Sequence, residues 1–124
     1  MPHRTDDEIP RLKAELFRTL GHPARVRILE VLREGERSVG ELQTILGADS
    51  SRVSQHLAVL RRQGLVDNRR AGTSVRYHVK EPRALQLMEI ARQILSAQVQ
   101  AAQALLDDLA TPTPTTLVAA RPRP

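Results

Sequence analysis

At 124 residues the chain has room for one domain with a core of moderate size, and a catalytic domain with a separate regulatory domain is not expected. Hydrophobic residues make up 40% and charged residues 27%, which is globular composition, and the absence of cysteine removes disulfides, thiolate metal sites, iron–sulfur clusters and cysteine nucleophiles together. The formal net charge is +5 and the excess is local: Arg52, Arg61, Arg62, Arg69, Arg70, Arg76 and Lys80 lie within residues 50 to 80 against a single acid, Asp67.

Residues 1 to 8 are polar and read as a loose arm, followed by one domain over 9–110. Ile9, Leu12, Leu16 and Leu20 recur at spacings of three and four, which places an apolar stripe on a first helix ending at Gly21. Pro23 opens a second helix with Val26, Ile28, Leu29 and Leu32 on its buried face and Gly35 as its stop. Ser38 followed by Glu41 is a capping-box pattern for a short third helix carrying Val39, Leu42, Ile45 and Leu46, and Gly47 ends it. Asp49 then caps a fourth helix over about 50–63, with Val53, Leu57 and Leu60 inward. Two short helices joined by a glycine-containing turn, the second polar on its outer face, form a helix-turn-helix.

After Gly64 the period becomes alternating, with Leu65, Val66, Val75, Tyr77 and Val79 as inward or half-buried positions of a hairpin that turns at Gly72. Its flanking Arg69, Arg70 and Arg76 make it too cationic for an ordinary sheet edge without a partner. A last helix over about 82–109, roughly 40 Å long by its rise per residue, keeps heptad spacing in Met88, Ala91, Leu95, Gln98, Ala102, Leu105 and Leu109. That is longer than the domain's own core requires and reads as a dimerisation helix, the other reading being a helix that lies across its own subunit. Residues 111–124, with four of the eight prolines, read as a disordered Pro-rich tail. The fold class expected is mainly α with a small β-hairpin: a winged helix-turn-helix of about five helices plus a two-stranded wing.

The first ten residues lack the apolar core of a secretion signal and no apolar run is long enough to cross a bilayer, so a cytoplasmic protein without a membrane partner is expected. Phe17 and Tyr77 are the only aromatic residues, which disfavours single-strand binders that stack bases on rows of rings. Arginine, whose planar fork suits phosphate oxygens and guanine edges, makes a polyanion the leading partner; a solvated basic face is the plainer alternative.

The run from Leu20 to Val79 resembles the ArsR/SmtB family of bacterial winged helix-turn-helix repressors. LGHPARVRILEVL is similar to that family's opening Leu-x-x-Pro-x-Arg-x-x-Ile-Leu segment, SVGELQTILGADSSRVSQHLAVLRRQGLV to its helix-turn-helix and RRAGTSVRYHV to its wing. The resemblance implies a homodimer through the first and last helices, Leu12 and Leu16 included, that represses transcription at an operator in double-stranded DNA.

Independently of that resemblance, a helix offering Ser50, Ser51, Arg52, Ser54 and Gln55 outward can enter a major groove, where arginine forks onto guanine and glutamine pairs with adenine. Arg52 and Gln55 are the candidate base readers, and the serines suit phosphates or the helix cap. Arg62, Arg69, Arg70, Thr73 and Arg76 are candidate backbone contacts. His56, which matches the histidine of the family's Ser-x-His-Leu segment, fits either a phosphate contact or a structural hydrogen bond.

Family members released from DNA by metal ions use cysteines, or Asp and His on the last helix; here the first segment reads SVGELQ and no histidine follows His78. His3 and His22 remain as candidates for an unorthodox nickel or zinc site with nearby carboxylates, so no cofactor is certain. A metal-responsive regulator and a winged-helix protein-interaction module are thus the alternative functions, and an unidentified effector or protein partner stays open. Catalysis is not expected: Ser54 and His56 are two apart on one helix and point in different directions, and no phosphate-binding glycine loop occurs.

Overall fold

The computed structural model describes the backbone of residues 2–110 and the side chains from residue 6 to residue 110; the Pro-rich segment 111–124 and the His3 side chain lie outside the described residues. The elements are α1 (Pro2–Leu20), α2 (Pro23–Arg33), β1 (Arg37–Ser38), α3 (Val39–Leu46), α4 (Ser50–Arg62), β2 (Val66–Ala71), β3 (Ser74–Val79) and α5 (Arg83–Ala110). They fall into two compact units that divide between Met88 and Glu89.

Local signals set most boundaries. Ser38 Oγ accepts the Glu41 N–H at 3.1 Å while Glu41 Oε1 accepts the Ser38 N–H at 2.9 Å, so the capping box forms in full. Gly47, at φ 66°, ends α3 in the left-handed conformation, and the Asp49 carboxylate starts α4 by accepting the Arg52 N–H at 2.8 Å. The cap of α2 is less obvious from sequence: His22 Nδ1 accepts the Ala24 N–H at 3.2 Å, ahead of a proline at the first helical position.

Three differences from the sequence reading stand out. Helix α1 begins at Pro2 rather than near Ile9 and contains Pro10, with Glu8 and Arg11 paired at 2.7 Å across that proline; polar residues without a glycine did not stop the helix. The wing belongs to a three-stranded antiparallel sheet of order β1-β3-β2, because Arg37 and Ser38 pair with Tyr77 and Arg76. Two residues are too few for alternation to reveal a strand. Ile45, read as part of the buried face of α3, is exposed, since Leu42 alone of that helix reaches the core fully.

The hairpin register runs from Val66 opposite Val79 to Ala71 opposite Ser74, which leaves Gly72 and Thr73 as a two-residue turn with Gly72 at φ 63°. The core of the first unit is aliphatic: Ile28, Leu29 and Leu32 from α2, Leu42, then Val53, Leu57 and Leu60 from α4, closed by Leu65, Val66 and Ala84. Leu16, Leu20, Tyr77, Val79 and Met88 pack against its edge. Leu57→Ala is expected to cost about 2–5 kcal/mol, read as a lowered urea midpoint, because the side chain is almost fully enclosed. The second unit is the continuation of α5 from residue 89 to 110, on which Ile90, Ile94, Leu95, Val99, Leu105, Leu106 and Leu109 are exposed.

Candidate nucleic-acid interface

Helix α4 is held by its buried edge. Val53, Leu57 and Leu60 are sunk in the core, so the helical period turns Ser50, Ser51, Arg52, Ser54 and Gln55 outward, and all five are exposed. Arg52 keeps 76% of its side chain accessible and approaches the Asp49 carboxylate at 3.9 Å. Arg62 is exposed at the far end of the helix, whereas Arg61 donates to Asp67 at 3.2 Å.

The wing arginines separate into two kinds. Arg70 and the turn residue Thr73 are exposed, and Arg70 has no carboxylate partner among the described residues. Arg69 forks onto Glu36, donating from Nε to Oε2 at 2.8 Å and from Nη2 to Oε1 at 2.7 Å. Arg76 is half-buried; its Nη2 donates to the Glu36 carbonyl at 2.9 Å and stands 3.2 Å from Glu41 Oε1. These bonds lash β3 to the loop before β1 and to the start of α3. The side chains that sequence reading treated as equivalent therefore differ: Arg76 builds the wing's base, and Arg69 is shared with a carboxylate.

Glu36 was not singled out from sequence. Its carboxyl is held below the ordinary carboxylate range chiefly by the hydrogen bonds from Arg69, against a smaller opposing effect of burial. His78 Nδ1 lies 3.8 Å from Glu36 Oε2 and makes no hydrogen bond. Arg25 was also missed: its Nε donates to the Thr19 carbonyl at 2.7 Å and fixes the corner between α1 and α2.

His56 is half-buried on α4, with its ring centroid 4.4 Å from that of His22 and the two planes tilted by 55°. Burial pushes the His56 imidazolium pKa down, and His22, Arg25 and Arg52 push it the same way. Among the described residues no group of three or more His, Asp or Glu side chains is placed to hold a metal ion.

Of the residues read as a dimer surface, Leu16 and Met88 pack on the subunit's own core, while Leu12, Ala91, Leu95, Ala102, Leu105 and Leu109 are exposed. No described helix is long and apolar enough to cross a membrane.

Comparison with known proteins agrees with this architecture. The family model described as "Bacterial regulatory protein, arsR family" matches residues 22–68, from the cap of α2 into β2. An HTH-type transcriptional regulator of Mycobacterium tuberculosis, Rv0081, is 48% identical over 100 residues, covering 80% of this chain and 88% of that protein. Its crystal structure superposes with a TM-score of 0.66 at 47% identity, covering 82% of this chain and 97% of that one. A biofilm growth-associated repressor of Xylella fastidiosa is 38% identical over 100 residues, 78% of this chain and 88% of its own. The homodimeric winged helix-turn-helix DNA-binding domain of Mb0332 from Mycobacterium bovis, solved by NMR, matches with a TM-score of 0.66 at 27% identity, over 73% of this chain and 83% of that domain. A buried-edge α4 with an arginine-bearing outer face, a wing beside it and these relatives together establish that the chain belongs to the arsR family of bacterial regulatory proteins.

Proposed function

We propose that this regulator acts in the cytoplasm as a homodimeric repressor on an inverted-repeat operator in double-stranded DNA, reading bases with Arg52 and Gln55 and gripping the backbone with the serines of α4, Arg62, Arg70 and Thr73. The observation that carries this reading is the outer face of α4, where five polar residues stand exposed while the same helix is anchored by three buried aliphatic ones. A protein-binding surface is built on aromatic or aliphatic anchors, and this face offers none. Arg52 and Gln55 instead carry the forked donors and amide that match guanine and adenine edges.

Dimerisation is supported by the apolar surface left open on α1 and on residues 89–110. Ile9, Leu12 and Phe17 are exposed on the former; on the latter, Ile94, Leu95 and Leu109 are 55%, 59% and 75% accessible. Helical stability in proteins comes mostly from packing an apolar face, and a second copy supplies the partner for this one. Repression is supported by the Xylella relative, and the homodimer by the Mb0332 domain. The nickel or zinc alternative receives no support from His22, whose Nδ1 already accepts a backbone N–H and is unavailable to a cation; the other candidate, the His3 side chain, lies outside the described residues.

The test is binding to a duplex selected in vitro from random sequence, titrated with salt. Arg62 and Arg70 from each of two protomers, the cations assigned to phosphates, give a slope of about −3.6 in log affinity against log salt, roughly a hundredfold loss between 50 and 200 mM. Duplex RNA should not compete, since its major groove is too narrow for a helix. Binding that ignores salt, or that duplex RNA removes as well as DNA does, defeats the reading.

A further inference from the structure

The start of α2 and the inner flank of α4 enclose a cleft of about 420 Å³, lined by His22, Arg27, Arg52, Gln55 and His56 over an apolar floor that includes Leu46 and Val53. No carboxylate lines it. The neighbouring charges are Arg25 and Arg27 on α2, Arg52 on α4, and Asp49 in the turn between α3 and α4, whose carboxylate is engaged with the Arg52 N–H; α3 borders the cleft through Leu46 alone. Cationic and imidazole donors thus converge on one concavity that holds no anion of its own.

We propose that this cleft is an oxyanion seat that takes a phosphate group, and that His56 takes up a proton as the phosphate enters.

The division of labour between the two imidazoles follows from one hydrogen bond. Because His22 Nδ1 accepts the Ala24 N–H, its neutral ring carries the proton on Nε2 and can donate it without further protonation. Adding a second proton to His22 would break the cap of α2. His56 has no such duty; its pKa is held down by burial and by cations on both sides, a strain that an arriving dianion or phosphodiester relieves. The sign is then fixed. Well above the His56 pKa in the occupied state His56 is neutral with or without the ligand and adds no pH dependence of its own to binding. As pH falls between the occupied and free values, binding takes up a proton and affinity rises. Below both values the gain saturates.

Arg52 and Gln55 line the cleft and also form the reading face, so two sources of phosphate are possible: the backbone of a bound duplex or a free phosphate competing with it. The first source rests on the DNA reading above; the seat itself does not.

The experiment has two arms on the full chain. In the first, the His56 ring protons are followed by NMR through a pH series from 5 to 8.5, with and without saturating inorganic phosphate. The resonance should move and its titration midpoint should rise; an unmoved midpoint overturns the seat. In the second, affinity for the in vitro selected duplex is measured from pH 8 to pH 5.5 at fixed chloride concentration. If the duplex backbone fills the seat, affinity rises about three- to tenfold in the parent, and His56→Gln flattens the curve while His22→Asn, which keeps a capping acceptor, does not. If a free phosphate fills it, inorganic phosphate weakens duplex binding in the parent more than in His56→Gln at matched ionic strength. A His56→Gln protein whose pH and phosphate responses both equal the parent's overturns the proposal. Failure to bind any duplex defeats the DNA reading alone, since the phosphate titration stands without it.

Discussion

Arg52→Ala should remove most of the protein's preference for its operator over random duplex. A forked arginine–guanine contact contributes about 1–3 kcal/mol of discrimination, roughly 5- to 150-fold for each half-site. Two half-sites double that free energy when both protomers read. Arg70→Ala should behave differently. Its guanidinium is exposed on the wing without a carboxylate partner among the described residues, so it serves backbone phosphates, which are the same on every sequence. Losing it should weaken specific and random binding by similar factors and make the salt slope shallower by about two for the dimer. Competition binding with both variants checks the assignment, and equal selectivity losses would defeat it. The contrast depends on the exposure of both side chains, Arg52 with only a long 3.9 Å approach to Asp49, whereas Arg69 and Arg76 are held by shorter bonds to Glu36 and its carbonyl.

Ile94→Asp with Leu95→Asp is expected to yield a monomer that no longer holds its operator. Both side chains stand more than half exposed on residues 89–110, far from the reading helix in sequence and outside the first unit's core. Their replacement should therefore leave that core intact, with an unchanged urea transition for the unit that contains α4. Joining two reading heads converts the second contact into an intramolecular one, so its loss should reduce affinity by about a hundredfold or more. Light scattering measures the mass and a gel shift the affinity. A dimer of unchanged affinity would place the interface elsewhere, whereas a monomer that still binds tightly would show that one head suffices.

The two variants separate what one subunit does from what two do together. Arg52 belongs to chemistry that a single α4 can perform, and Ile94 and Leu95 to the spacing of two such helices on one duplex. The His56 proposal adds a condition to the first: proton availability beside the same reading face. It also carries a consequence for the fold. A histidine whose pKa is depressed in the native state loses stability for the protein as pH falls through the ordinary histidine range, so the pH series should be accompanied by a folding check by circular dichroism.

The linear order of residues is enough wherever short-range chemistry decides. The caps at Ser38 and Asp49, the proline start of α2, the glycine stop at Gly47 and the three-and-four spacing of Val53, Leu57 and Leu60 are contests settled within one or two helical turns, so they are legible residue by residue. The exposed face of α4 follows from the same periodicity. Tertiary structure alone decided which cations are free. Arg69 and Glu36 are thirty-three positions apart, and nothing in either neighbourhood marks the other; only the pairing of β1 with β3 brings the carboxylate under the wing and converts Arg76 from a candidate grip into a brace. His22 and His56 also meet only in the folded chain, the one capping α2 and the other on α4, two helices that pack through a common aliphatic core. The apolar surface of residues 89–110 likewise proved broader than the heptad stripe suggested, since Ile90, Ile94, Val99 and Leu106 are exposed beside it. Periodicity names a stripe, but burial depends on which surfaces actually meet, and that is a property of the folded chain.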